Sequence, residues 1–250
     1  MLTAPFTNND LLKFFLLTFG VSWGLPSILF VIAQIDPTFT FSLELYSPLY
    51  YVVVWSPAFS ALVVIAKRQG LGAVMLFIRR LFHWRVGFRR YALALILIPA
   101  LYFAASVLMW TSGEQNAFGF YEGTFIQFLF AAVLLRATAG PVEELGWRGF
   151  ALPILQRKYS GLVAAILLGA IWGIWHMPSF VIGNLYQSTV GLPLVFSMPI
   201  FIVQTIAMSI ILLFYTMARL VACSLCFYFT GQAIFSIHGR EEQRFWQHRL

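Results

Sequence analysis

From Tyr159 to Ala218 the chain carries no Asp, Glu, Lys or Arg. A helix on the surface of a soluble protein turns a charged or polar face to water, so an uncharged stretch of this length points to a different solvent. About 20 consecutive apolar residues cross the roughly 30 Å hydrocarbon core of a bilayer, and this stretch accommodates two crossings, at 161–182 and 192–215. Comparable runs lie at 11–33, 46–66, 91–111, 124–145 and 218–237. Composition agrees: 60% of the 250 residues are hydrophobic and the mean hydropathy is +0.83, against about 45–50% apolar residues in a soluble domain. The expected fold is all-α, a polytopic integral membrane helical bundle of about six or seven transmembrane helices. A single membrane-embedded domain is expected over 1–237, its motif-bearing core at 124–182, with a polar tail at 238–250. The first run is too long for a signal-peptide core and has no small-residue cleavage site, so it is expected to stay in the mature protein.

The formal net charge of +7 invites a nucleic-acid reading, but its distribution argues for a membrane. Lys67, Arg68, Arg79, Arg80, Arg85, Arg89 and Arg90 share one connection, whereas segments 34–45 and 112–123 carry Asp36, Glu44, Glu114 and Glu122 with no Lys or Arg. This is the positive-inside asymmetry, and it places 67–90 and the N-terminus in the cytoplasm. The mixture of Leu, Phe, Trp and Arg over 73–91 suits an interfacial helix on the lipid surface, and His83 within it has no catalytic assignment. Cys223 and Cys226 form a C-x-x-C inside an apolar run, where small apolar filler is a better account than redox chemistry.

Against this background, Glu143-Glu144-Leu-Gly-Trp-Arg148 concentrates charge. Of the other acids, Asp10 is near the N-terminus, four lie in the outer segments, and Glu241 and Glu242 are in the tail. An ionised carboxylate within the hydrocarbon zone costs on the order of 2.5–3.5 kcal/mol, so such a group is functional by default. Glu144 and Arg148 are four apart, on one helical face and in the favourable acid-before-base order. Glu143 points about 100° away from that face and is left available. The competing reading is that a span ends here at the cytoplasmic surface, with ordinary solvated headgroup charges and Arg157 and Lys158 close behind.

His176 tips the balance. It is the only readily titratable side chain in the uncharged stretch. If one helix runs to about Leu155 and the next begins near Gly161, Glu143 and His176 stand roughly 18 and 22 Å above the shared turn at about 1.5 Å per residue. Pro141 and Pro153 are the weak points of this arithmetic, since either can kink or end a helix. A buried carboxylate is a stronger base, and a histidine can orient water, donate to an oxyanion or ligate a metal. A zinc site normally takes three protein ligands, and only Glu143 and His176 offer themselves. Metal-free chemistry with no cofactor therefore ranks above a zinc site built on these two. Arg136, seven residues before Glu143, is a further charge partner or a snorkelling side chain.

These residues are also where the chain resembles the CPBP intramembrane proteases, the CAAX-processing and bacteriocin-processing family also called Abi. One family motif is E-E-x-x-x-R, here Glu143-Glu144-Leu-Gly-Trp-Arg148 followed by Gly149. Another is aromatic-x-x-x-His, here Trp172-Gly-Ile-Trp-His176, with Pro178 beyond. The order, spacing and helical setting agree over about residues 90–215. The resemblance implies that Glu143 activates the hydrolytic water, His176 helps to position it, and Glu144 with Arg148 holds the site. It further implies a peptide or membrane-protein substrate, the lipid bilayer as surroundings, no nucleic acid, and a multi-pass location in a cell membrane, read here as a prokaryotic plasma membrane.

The family's last motif, His-x-x-x-Asn on the oxyanion side, is missing. In its place stands Gln232-Ala-Ile-Phe-Ser236, so Gln232 and Ser236 are the candidate oxyanion remnant. His238 and His248 belong to the polar tail. Alternating seven spans would put that basic tail outside, against the charge rule, and a translational frame shifted from about codon 217 onward would account for both anomalies. Besides an active protease, two other readings stand. One is a catalytically impaired relative acting as a membrane binding or immunity protein. The other is a small transporter using Glu143 and His176, although no related halves are evident.

Overall fold

The computed structural model describes residues 5–43, 47–79, 107, 111, 140–181 and 194–213, and these are mostly helical with no strand among them. Helix α1 (Asn8–Phe19) begins with a capping box: the Thr7 hydroxyl accepts from the Asp10 amide while the Asp10 carboxylate accepts from the Thr7 amide, which satisfies two of the donors that a helix start leaves free. A π-helical segment, Gly20–Gly24, joins α1 to α2 (Leu25–Ile35), whose second residue is Pro26. Proline cannot donate into the four-residue ladder, and a one-turn widening to five-residue spacing is a way past that gap. Beyond α2, Asp36 accepts from the Thr38 hydroxyl and amide, which hold its carboxyl below the usual range.

Helix α3 (Pro48–Gln69) is capped by the Ser47 hydroxyl and passes through Pro57; it ends at Gly70, whose φ of 82° is left-handed and suits glycine. Helix α4 (Leu71–Arg79) follows. Farther along come α5 (Gly140–Glu144), a second π segment (Leu145–Ala151) and α6 (Leu152–Leu155), then α7 (Gly161–Trp175), α8 (Met177–Val181) and α9 (Leu194–Leu213).

Among the described residues, four stretches are long and apolar enough to cross a membrane: Asn8–Ile35, Pro48–Gln69, Gly161–Val181 and Val195–Leu213. They correspond to the runs expected at 11–33, 46–66, 161–182 and 192–215. The first is longer at both ends, and the second starts later and continues to Gln69. Of the run at 91–111 only residues 107 and 111 are described, and of the run at 124–145 only the part from Gly140; the run at 218–237, the basic segment beyond Arg79 and the tail lie outside the described residues.

Two contacts fix which ends lie together. Arg68 at the end of α3 pairs with Asp10 at the start of α1, 3.2 Å apart. Arg157, after α6, donates to the Phe6 carbonyl at 2.7 Å. The start of α1, the end of α3 and the turn between α6 and α7 therefore share one end of the bundle, which gathers Lys67, Arg68, Arg157 and Lys158. This is the end the charge asymmetry assigns to the cytoplasm.

The core joins α1 to the second π segment through aromatic rings. Phe14 meets Trp147 edge-on at 5.6 Å and Phe150 at 5.3 Å, and Phe6 meets Phe150 at 5.0 Å; Phe14, Trp147 and Phe150 are buried. On the other side, Gly146 lies so close to α3 that a Cβ there would come within 2.5 Å of the Pro57 backbone. A side chain at 146 would push the acidic segment off α3.

Candidate active site

The second π segment is where the motif arginine enters the core. Leu152 donates back to Trp147, a five-residue step, immediately before Pro153. The helix is thus neither broken nor kinked to a stop at Pro153; it widens, as it does ahead of Pro26, and Pro141 lies within the first turn of α5. Arg148 donates from Nη1 to Glu144 Oε1 at 2.9 Å and from Nη2 to Ser209 Oγ of α9 at 2.8 Å. Its guanidinium lies 4.2 Å from the centre of the Trp172 ring, a cation–π distance. Arg148 is 2% exposed and Glu144 5%. A pair buried this deeply is expensive to break, about 3–5 kcal/mol for loss of one partner, so Glu144 and Arg148 form a fixed element.

Glu143 makes a different set of contacts. It is 3% exposed, and its Oε2 accepts from the indole Nε1 of Trp172 at 3.2 Å. Neighbouring carboxylates thus have separate partners, an arginine for Glu144 and an indole for Glu143, as the 100° angular offset between adjacent helical residues requires.

His176 caps α7. Its amide bonds Gly173 in a tightened last turn, which frees the Trp172 carbonyl from its usual four-residue partner. His176 Nδ1 lies 2.9 Å from that carbonyl oxygen. A carbonyl only accepts, so Nδ1 carries the proton, and in the neutral ring Nε2 keeps its lone pair. The imidazole is boxed edge-on by Trp175 at 4.7 Å and Phe201 at 4.9 Å.

Close packing of α7 on α9 brings these groups together. A Cβ at Gly169 would meet Ile206 Cα at 2.6 Å and Thr205 O at 2.8 Å; one at Gly173 would meet Thr205 Oγ1 at 2.5 Å. Glycines four apart on one helix face allow backbones to touch in a membrane, and here they carry Ser209 within reach of Arg148. Besides Glu144 Oε2 and Arg148 Nε, the indole nitrogens of Trp147 and Trp175 are buried without a hydrogen-bond partner among the described residues. The polar capacity of the region is not exhausted by its own side chains.

Of the residues singled out in the sequence, Glu143, Glu144, Arg148 and His176 converge at the contact of α5, the π segment, α7 and α9. Arg136, Gln232 and Ser236 lie outside the described residues. Two participants were not anticipated: Trp172 as a donor to Glu143, and Ser209 as the acceptor from Arg148. Ser197, Thr205 and Ser209 are buried polar residues of the apolar α9, and Thr205 and Ser209, four apart, mark its packed face. Among the described residues, no three His, Cys, Asp or Glu side chains come together. Glu143 and His176 are two donors where a zinc site takes three.

Residues 125–237 match the family model described as type II CAAX prenyl endopeptidase Rce1-like. The protein called CAAX prenyl protease 2 from Methanococcus maripaludis is 32% identical over 149 residues, covering 57% of this chain and 55% of that protein. The chain spans about half the length of the relative it matches. The family match takes in Glu143, Glu144, Arg148, His176 and Ser209, and it continues through Gln232 and Ser236.

Proposed function

We propose that the chain is an intramembrane protease of the CPBP family, a reading supported by its apolar helices and by these matches. It hydrolyses a peptide bond within or beside the bilayer of a prokaryotic plasma membrane, with Glu143 as the base that activates water and His176 as the group that positions it. The observation that carries this reading is the Trp172–Glu143 bond. It ties a buried carboxylate to the residue one helical turn before His176, while Arg148 is already engaged by Glu144.

The division of labour follows from the partners. Glu144 and Arg148 neutralise each other and act as scaffold. Glu143 takes a proton from water as the water oxygen bonds to the scissile carbonyl carbon. The C–N bond then breaks, and Glu143 returns the proton to the departing amine, leaving a carboxyl and an amino terminus. With Nδ1–H committed to the Trp172 carbonyl, a neutral His176 accepts a hydrogen bond from water and is not a donor to the oxyanion, so that task falls elsewhere. Gln232 and Ser236 in the last apolar run are the proposed donors. Metal-free hydrolysis is proposed ahead of zinc hydrolysis because, among the described residues, Glu143 and His176 are two donors where zinc normally takes three. The substrate is proposed to be a peptide or membrane protein, with a prenylated C-terminal peptide as first probe, since the matched relative is named a CAAX prenyl protease.

The test is Glu143→Gln in reconstituted protein. It should abolish cleavage of the prenylated peptide while the protein still inserts and unfolds at a similar temperature. Wild-type turnover in that variant overturns the assignment of the base. Activity is expected to survive a strong chelator; loss on chelation that zinc restores would replace the metal-free mechanism.

A further inference from the structure

Trp172 touches three groups of the site, Glu143, Arg148 and His176, each through a different part of the residue. Its indole N–H donates to Glu143 Oε2 at 3.2 Å, its ring face carries the Arg148 guanidinium at 4.2 Å, and its backbone carbonyl holds His176 Nδ1 at 2.9 Å. The side chain is 5% exposed and its backbone is held by Gly169 and Gly173, which press α7 onto α9. A ring clamped in this way has little freedom, so its N–H is a fixed donor.

We infer that Trp172 is a positioning residue whose indole N–H clamps one oxygen of the Glu143 carboxylate and so turns the other oxygen toward the water that Glu143 activates. This rests on the proposed role of Glu143 and adds a residue to it. An aromatic ring at 172 would be enough to pack beside Arg148, and phenylalanine supplies that; only an indole supplies a donor to the carboxylate. Glu143 needs such a donor because its neighbour Glu144 has already taken Arg148 Nη1. An unclamped Glu143 would rotate about its terminal torsion, which is broad and roughly two-fold for a carboxylate, and would present the attacking oxygen in a productive direction only part of the time.

The N–H can be removed while the aromatic ring is kept. Replacing Trp172 with β-(3-benzothienyl)alanine by nonsense suppression keeps the shape and aromatic face and exchanges N–H for sulfur. Trp172→Phe removes the N–H with a smaller ring. Both keep the backbone carbonyl that holds His176. With the prenylated peptide, the benzothienyl protein should lose about tenfold in kcat, the scale of one hydrogen bond to a charged group, with KM unchanged, because a positioning residue alters the chemical step and not substrate binding. An unchanged kcat overturns the inference, and so does a raised KM at constant kcat, which would make Trp172 a substrate contact.

A second measurement needs no turnover. The chain has 8 tryptophans, and substitution to Phe identifies the Trp172 indole resonance in a proton–nitrogen correlation spectrum of 15N-indole-labelled protein. Glu143→Ala should move that resonance more than any other indole resonance. If it does not move, the clamp is absent whatever the kinetics show. If it moves and Glu143→Gln is fully active, the clamp stands and the proposed role of Glu143 falls.

Discussion

Gly169→Ala adds one methyl group at the tightest point between α7 and α9. That methyl would sit 2.6 Å from Ile206 Cα and 2.8 Å from Thr205 O, where ordinary contact begins at 3.4 Å. Both atoms belong to the backbone, so no side-chain rotation relieves the clash and α9 must retreat by about 0.8 Å (3.4 − 2.6). Ser209 lies one turn along α9 from Thr205, and its bond to Arg148 is 2.8 Å. A direct retreat stretches that bond to about 3.6 Å, outside hydrogen-bonding range. Stability is a poor readout, because the cost of overpacking, about 1–3 kcal/mol, is partly offset by the roughly 1 kcal/mol that alanine gains over glycine in a helix. Activity is the sensitive one, since a misplacement of about 1 Å in a catalytic array can cost on the order of 10²-fold. We expect the initial rate of peptide cleavage in proteoliposomes to fall ten- to hundredfold, on the order of that figure, with a modest change in thermal midpoint. Leu162→Ala, on an exposed face of the same helix, is the control and should leave the rate intact. At Gly173 the nearest obstacle is the Thr205 hydroxyl, so Thr205→Ala should partly rescue Gly173→Ala and do nothing for Gly169→Ala. A Gly169→Ala protein that cleaves within about twofold of wild type would refute the argument that backbone contact at this crossing sets the site.

Ser209→Ala leaves an Arg148 N–H buried without an acceptor and should destabilise the protein by about 1–3 kcal/mol; an unchanged thermal midpoint in detergent would mean that another acceptor replaces the hydroxyl. At the basic end, Asp10→Ala should cost more than Arg68→Ala. Asp10 also closes the capping box with Thr7, worth about 1 kcal/mol, whereas Arg68 is 39% exposed and its pair is worth under about 1 kcal/mol; the reverse order in unfolding temperature would sink this ranking. For the last apolar run, sequencing the gene past codon 216 should reveal a second frame encoding His-x-x-x-Asn, and its absence ends the frameshift hypothesis. If the chain cleaves at a rate that replacing Gln232 and Ser236 with Ala does not alter, their oxyanion role is wrong.

Much of the site was legible because membranes make charge rare. Glu143, Glu144, Arg148 and His176 stand out in an apolar background, and the four-residue spacing of Glu144 and Arg148 is enough to anticipate their pairing. Partners chosen by tertiary packing were less legible. Nothing local to Ser209 marks it as the acceptor for Arg148; what marks it is the combination of Thr205 and Ser209, four apart on α9, with Gly169 and Gly173 on α7, two patterns that gain meaning only when the helices are set against each other. Trp172 was visible as the aromatic of a motif, but whether its N–H would find a carboxylate depends on the rotation of the facing helix.

That rotation, and the height that goes with it, is where regular-helix arithmetic needed a correction. Counted from Gly161, Trp172 stands roughly 16 Å above the turn and His176 roughly 22 Å at about 1.5 Å per residue. Glu143, counted back from Leu155 on the same assumption, stands at roughly 18 Å, between the two. The segment Leu145–Ala151 is π-helical, however, and packs more residues into each turn than the arithmetic allows. Glu143 is therefore lower than 18 Å, nearer the level of the Trp172 ring than that of His176. Its hydrogen bond goes to Trp172, and His176 is tied to the same residue one turn above. The sequence signal for this shift is Pro153, whose missing N–H interrupts the ladder just where the helix widens. A proline read as a place where a helix stops predicts a break there; read as a place where the ladder must change its step, it predicts the register that brings Glu143 and Trp172 together.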